Sequence, residues 1–197
     1  NFSLFTPIHE AAWMGFLPAM EHFMSRFPEH SNLKNDYGCT ILHIAACYNH
    51  CDIINLAAEQ RGCEIDARSD YGQTPLHIAI IKGYSKIVER LVGYGAGVNT
   101  QDADGNTPLH MILCKDAMEV PSDDTPELKK IHEVLLGDLK STPDNALPVV
   151  TCMTVAGFFL RKGADMHIKN KSGCSSLQIL PFIATLMTLL AESEHLL

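Results

Sequence analysis

Residues 36–45 read DYGCTILHIA and residues 70–79 read DYGQTPLHIA, the same phrase after 34 residues. A catalytic motif has little reason to recur at fixed spacing, whereas a unit that buries its apolar face only against its own copy must recur. Threonines extend the beat in both directions. Thr6, Thr40, Thr74 and Thr107 precede PIHEAA, ILHIAA, PLHIAI and PLHMIL, at spacings of 34, 34 and 33. Gly38, Gly72 and Gly105 keep the same step. A second phrase closes the unit: GYGAGVNTQDADG at 93–105 and RKGADMHIKNKSG at 161–173, each with Gly-Ala ten residues before the next Gly.

These phrases resemble the ankyrin repeat, whose signature is TPLHxA followed by a GAD-type turn, and the resemblance covers nearly the whole chain. It implies an all-α solenoid of helix-turn-helix units joined by β-hairpin-like loops. The letters agree with that fold on physical grounds. Thr suits the N-cap, where it is worth about 1 kcal/mol over Ala, and Pro7, Pro75 and Pro108 then take the first helical position. Leu42, Leu76 and Leu109 are core positions, and Ala45, Ala46 and Ala79 let helices approach closely. Gly83 ends a first helix before YSKIVERLVGYG forms a second, with Ile87, Val88, Leu91 and Val92 on one face. Gly95 and its counterpart Gly163 fit a left-handed helix end. His9, His43, His77 and His110 occur once per repeat at one helical position, so no two converge on a shared site. The resemblance implies that each bonds within its own repeat and to the next.

The totals exclude several functions. With 46% hydrophobic and 19% charged residues, the 197-residue chain is no disordered tail. A net charge of −8 argues against a nucleic-acid partner. No apolar run reaches the roughly 20 residues that cross a bilayer, so no membrane insertion is expected. The seven cysteines include no CxxC pair, which fits neither a disulfide framework nor a zinc knuckle. Cys47 and Cys51, near His43 and His50, lack four-ligand spacing, so neither metal nor cofactor is expected. A thiol or metal hydrolase using Cys47 and His43 is the weakest alternative, lacking a third orienting residue. Reduced thiols imply a cytoplasmic, reducing setting. The chain opens on NFSLFTPIHE without a Met, the mark expected of a piece of a longer protein.

The grid breaks after Thr107. From Gly105 to Gly173 there are 68 residues, two periods, but only one TPLH and one GAD. Residues 117–148, with four prolines and seven acids against three lysines, read as an insertion of one repeat, an exposed excursion of charge −4. Within it TPELKKIHEVLLG predicts a short helix with Thr125 as cap, Pro126 first, Gly137 past the end, and Leu128, Ile131 and Leu135 as its apolar stripe. The repeat resumes at VVTCMTVAGFFLRKG. The last unit, GCSSLQILPFIATLMTLL, has lost Thr-Pro and His, and Pro181 divides it. An interrupted TPLH repeat followed by VAGFFLRKGADMHIKNKSGCSSLQIL resembles the last ankyrin repeats of the mind bomb ubiquitin ligases, over about residues 70–190. KNKSG matches that family's closing turn, while SSLQIL departs from its Pro-Leu-Asp-Leu helix. The resemblance implies a RING-type E3 ligase acting on Notch ligands, with recognition modules upstream and RING fingers downstream of this segment.

The expected architecture is therefore one non-catalytic domain over 1–197, with units at about 6–35, 40–69, 74–103, 107–170 and 175–197. Such arrays bind proteins along a concave face of first helices and hairpin tips. The family geometry nominates Phe5, Trp13, Met14, Tyr37, Cys47, Tyr48, Tyr71, Ile81, Lys82, Asp104, Asn106 and Lys115. Trp and Tyr lead this set because they dominate binding hot spots. A protein partner is expected on this face or on the insertion, with the segment itself a monomer. The alternative within binding modules is an adaptor or transcription-factor inhibitor unrelated to ubiquitin.

Overall fold

A computed structural model describes residues 6–114, 125–138 and 147–179. Helices α1 (Pro7–Met14), α3 (Ile41–Cys47), α5 (Pro75–Lys82), α7 (Pro108–Leu113) and α10 (Ser176–Ile179) stack side by side as an inner layer. Helices α2 (Leu17–Arg26), α4 (Cys51–Ala58) and α6 (Ser85–Gly93) stack behind them. The outer layer is continued by α8 (Pro126–Asp138) and α9 (Leu147–Arg161). Four of the inner helices each pack on one outer helix: α1 on α2, α3 on α4, α5 on α6, α7 on α9. One apolar core runs between the layers from Ile8 to Phe159, through Leu42, Leu76, Ile87, Leu91 and Leu109. Ala45, Ala46 and Ala79 are fully buried, which lets inner helices pack on one another.

The helix starts follow from their caps. Thr74 is extended, with φ −92° and ψ 166°, and Pro75 then supplies the preset helical φ. In three copies the histidine three residues on completes a capping box where Glu or Gln would ordinarily stand. The Thr40 backbone N–H donates to His43 Nδ1 at 3.1 Å, so Nε2 carries the proton and donates to the Gln73 carbonyl at 2.9 Å. His9 reaches Leu33 O at 3.0 Å and His110 reaches Cys174 O at 3.1 Å in the same way. In the third copy His77 Nδ1 accepts from Thr74, but Nε2 faces Asn106 without a hydrogen bond of normal geometry. His9, His43 and His110 thus each bond both within their own repeat and to the chain that follows, and His77 is capped in the same way without the second bond.

Between repeats the chain makes tight hairpins, closed by Asn35 N–H to Cys39 O, Ser69 N–H to Gln73 O and Asp102 N–H to Asn106 O. Successive tips are bonded together: Asp70 N–H to Tyr37 O at 3.0 Å, Ala103 N–H to Tyr71 O at 3.1 Å, Lys171 N–H to Asp104 O at 2.9 Å. This approach leaves no room for a side chain at Gly72, where φ is +68° and a Cβ would lie 2.7 Å from Ala103 N. The side chains of Asn35, Asp102 and Asn170 each accept two backbone N–H groups inside their turns. Ser69 holds the same place in its hairpin, one atom shorter, and its buried hydroxyl has no partner.

The outer-helix ends differ in kind. At Gly95, Ala96 N–H bonds to Leu91 O and Gly95 N–H to Val92 O, the paired Schellman pattern, with φ +91° and open space around the missing Cβ. Gly163 does the same after α9. Between α3 and α4 the left-handed position is filled by Asn49 at φ 61°, where the first and third repeats use Gly15 and Gly83.

The inserted stretch departs from expectation. Residues 125–133 are not an exposed excursion: Thr125, Leu128, Ile131 and His132 are buried, and α8 packs on α6 and α9 as an added member of the outer layer. Its first turn is held by Glu89 of α6, which accepts the Glu127 N–H at 3.2 Å, and by Lys162, 2.8 Å from the Glu127 carboxylate. Burial raises the Glu89 carboxyl above its ordinary range. His132 Nδ1 meets Thr154 Oγ1 of α9 at 3.0 Å. The helix runs past Gly137 to Asp138, and α9 begins at Leu147, two residues inside the stretch assigned to the insertion. The side chain of Leu135, and residues 115–124, 139–146 and 180–197, lie outside the described residues.

Three measurements test this account. Gly95→Asn should cost under about 1 kcal/mol, since Asn tolerates a left-handed helix end, whereas Gly72→Asn should cost about 3 kcal/mol or more. Equal urea midpoints for the two variants would contradict the tip-to-tip packing. Ser69→Asn should restore the missing acceptor and add about 1 kcal/mol, or about 2–4 °C in Tm; an unchanged or lower Tm would show that the turn already has its bonds. Burial holds the His43 imidazole down at about 4 and lowers His9 and His77 in the same direction. The unfolded chain titrates near about 6.5, so between that pH and about 4 it takes up protons the folded chain refuses. Stability is therefore full above about 6.5 and falls as the pH drops through this window, by up to about 3 kcal/mol for His43 alone. Urea midpoints should be level from pH 8 to 7 and lower at pH 5.5; a level profile throughout would rule out neutral buried histidines.

Candidate protein-binding surface

The capping threonine fixes which residues of each inner helix face outward. Seven residues after it stand Trp13, Cys47, Ile81 and Cys114, and eight after it stand Met14, Tyr48 and Lys82. Of these only Cys47 is half-buried; the others are exposed. Three residues before the capping Thr of the next helix, on the hairpin tips, stand Tyr37, Tyr71 and Asp104, all exposed. The aromatic members are 47% (Trp13), 49% (Tyr48), 58% (Tyr37) and 66% (Tyr71) exposed, well above what a core ring shows.

These side chains form two rows, one along the ends of the inner helices and one along the tips; Trp13 and Tyr48 do not share positions with Tyr37 and Tyr71. The helix row has internal order. Trp13 and Tyr48 meet edge to face, with ring centroids 6.2 Å apart and planes at 73°. Tyr48 is stacked beside the His50 ring at 6.4 Å, and His50 Nε2 lies 3.0 Å from the Trp13 carbonyl. The first two repeats thus present a pre-formed aromatic cluster, which costs little entropy to dock against. The tip row is fixed by the backbone bonds between hairpins.

Asn106 does not belong to a free surface. Its side-chain oxygen accepts from Asn170 Nδ2 at 3.0 Å, stitching the third hairpin to the next. Phe5 and Lys115 lie outside the described residues. Sequence patterning passed over Phe16 and Phe27, exposed at the two ends of α2, the second stacked on His30 at 5.0 Å. Their signal was an aromatic residue at a helix junction, off the repeat grid.

The geometry gives Cys47 no base in His43, because both ring nitrogens of His43 are engaged, with Thr40 and with Gln73. Burial raises the thiols of Cys39 and Cys51, and lifts Cys63 to about 11, away from the thiolate a nucleophile needs. Among the described residues no three His, Cys, Asp or Glu side chains are grouped to hold a metal ion. A hollow of about 270 Å³ lies at the turns between inner and outer helices, lined by Gly15, Asn49, His50 and Lys86 among others. It adjoins the helix row through His50, whose ring also stacks beside Tyr48. No described helix is long and apolar enough to cross a membrane.

Comparison with known proteins agrees with the architecture. A family model described as ankyrin repeats (3 copies) matches residues 8–102 and 55–120. The chain is similar to an E3 ubiquitin-protein ligase mind-bomb of Drosophila melanogaster, 32% identical over 149 residues. That match takes in 75% of the chain and 12% of the ligase. It is also similar to the target of rapamycin complex 2 subunit AVO2 of Saccharomyces cerevisiae, 29% identical over 107 residues, 54% of the chain and 25% of that protein. The chain therefore spans only a minor part of either relative's length. Helices in two layers, repeated capping threonines and bonded hairpins have one source: the chain belongs to the ankyrin-repeat family.

Proposed function

We propose that this segment is a non-catalytic scaffold that takes a protein partner along its inner helices and hairpin tips. The observation that carries this is the exposure of Trp13, Tyr48, Tyr37 and Tyr71 on positions the repeat does not need for its core. A stacked array spends its buried residues on its neighbours, so large rings left outside add nothing to folding. Rings held rigid and half-exposed are the side chains that dominate hot spots.

We further propose that the parent protein is a RING-type E3 ubiquitin ligase of the mind bomb type, promoting ubiquitination and endocytosis of Notch ligands in the cytoplasm. Support comes from the similarity to the fly ligase over three quarters of the chain and from the interrupted fourth repeat. In that setting the array spaces the substrate-binding and RING ends or docks a regulator. A second reading, an ankyrin subunit of a complex unrelated to ubiquitin, is favoured by the similarity to the yeast subunit. RING cysteine-histidine pairs downstream of this segment in the parent would separate the two.

Tyr48→Ala with Tyr71→Ala should weaken partner capture by at least roughly thirtyfold, the equivalent of one hot spot of about 2 kcal/mol, while leaving Tm within a degree or two. Quantitative cross-linking of the full-length protein in cells reads this directly. Normal capture by the double variant would sink the proposed surface. Removing 1–197 from the parent should spare RING autoubiquitination and reduce ligand endocytosis; endocytosis at the unmodified level would sink the scaffold role.

A further inference from the structure

The tip row carries charge as well as rings. Asp36 precedes Tyr37 and Asp70 precedes Tyr71, while on the third hairpin Asp104 itself stands in the tyrosine's place; all three acids are exposed. The bonds between tips make this an array of fixed spacing, set by the packing of successive helices at about 8–10 Å. The cations on the same hairpins are turned to backbone: Lys34 Nζ donates to Arg68 O at 2.9 Å, and Arg68 donates to Gly72 O and Gln101 O. Asp102 is also spent internally, on the Asp104 and Asn106 N–H groups. At the fourth tip the sign reverses, with exposed Lys169 and Lys171.

We propose that the occupant of this surface is a segment of another protein that presents Lys or Arg to the hairpin row and apolar side chains to the Trp13–Tyr48 row. The inference rests on the binding surface proposed above and adds the chemistry of what binds there. A carboxylate beside an exposed tyrosine face offers a cation both Coulombic and cation–π attraction. The edge-to-face pair of Trp13 and Tyr48, with Ile81 one repeat on, offers apolar anchorage a helix layer away. The net charge of −8 steers such a segment to the molecule. An extended chain advances about 3.3–3.6 Å per residue, so cations matched to tips about 8–10 Å apart recur at about every third residue. The basic stretch ends after the third tip, because Lys169 and Lys171 at the fourth repel it.

The probe is a synthetic peptide with Lys at its first, fourth and seventh positions and Leu or Tyr between, beside the same peptide with Glu for Lys. Binding to the full chain is followed by fluorescence polarisation at two salt concentrations. The Lys peptide should bind, weaken with salt, and lose about tenfold in affinity with Asp70→Asn and Asp104→Asn together. The control variant Glu21→Gln with Glu29→Gln removes two exposed charges from the outer side and should change affinity little. No binding of the Lys peptide, equal binding of the Glu peptide, or equal losses in both double variants would overturn the proposal. If the Asp variants bind normally while Tyr48→Ala with Tyr71→Ala still prevents cross-linking of the natural partner, the basic partner is wrong and the surface stands. If neither double variant has an effect, both fall.

Discussion

Each of the first four repeats contributes one imidazole whose two nitrogens point to different repeats, and the array depends on that geometry. Nδ1 accepts from the capping threonine of its own helix, which fixes where the helix begins. The same acceptance fixes the tautomer, so Nε2 must donate, and the carbonyl it finds lies on the following hairpin, Gln73 for His43 and Cys174 for His110. Local cap and interrepeat tie are thus one bonded unit. Protonation would place a hydrogen on Nδ1 against the Thr N–H and break the cap, while Nε2 would still donate to its carbonyl. Burial favours the neutral ring at His9, His43 and His77. The next acid in reach, Asp102 near His77, is engaged with its own turn.

Because stacking is settled by His, Leu and Ala on the inner faces and by backbone bonds between tips, the outward side chains of α1, α3 and α5 and of the tips stand largely outside the core. Composition there is free to serve a partner, and it divides into an aromatic end over the first two repeats and a charged end beyond. Lys82 follows Tyr48 in register, and Lys171 ends the run of tip acids. A linear array read by one partner gains from such a gradient, since it fixes direction as well as place.

What was legible in the sequence followed from period. A 34-residue beat with Thr, Pro, His and Gly in fixed places determines helix starts, turns and the inner face, because those places are set by backbone geometry that every copy shares. What the beat could not show were side chains whose role depends on a neighbour off the grid. Asn106 looked like a surface residue and is a stitch to Asn170, 64 residues on, across the insertion. Tyr37 and Trp13 fell into one nominated set because both are outward, but one belongs to a tip and the other to a helix end. Ser69 and Asn49 are substitutions at conserved roles of the repeat, visible only once the turn conformations are known.

The insertion is the instructive case. Its prolines and acids read as loop chemistry, and the apolar stripe of Leu128 and Ile131 was too short to say what it packs on. Its destination is set by the outer layer: α6 and α9 leave a place that Leu128 and Ile131 fill, and Glu89 on α6 presents a carboxylate to the first turn of α8, where the helix dipole favours a negative charge. Glu127 in that turn is answered by Lys162 at the far end of α9. The helix therefore belongs to the fabric of the outer layer, opposite the inner-helix and tip rows. Cutting 119–146 out of the chain would remove α8 and uncover the side of α9 it packs on, at Thr154, so a loss of binding in such a deletion would report a damaged fourth repeat before it reported a lost docking site. Point changes on the exposed side of α8, at Lys130 or Glu133, keep that core closed and isolate whatever the outer face contributes.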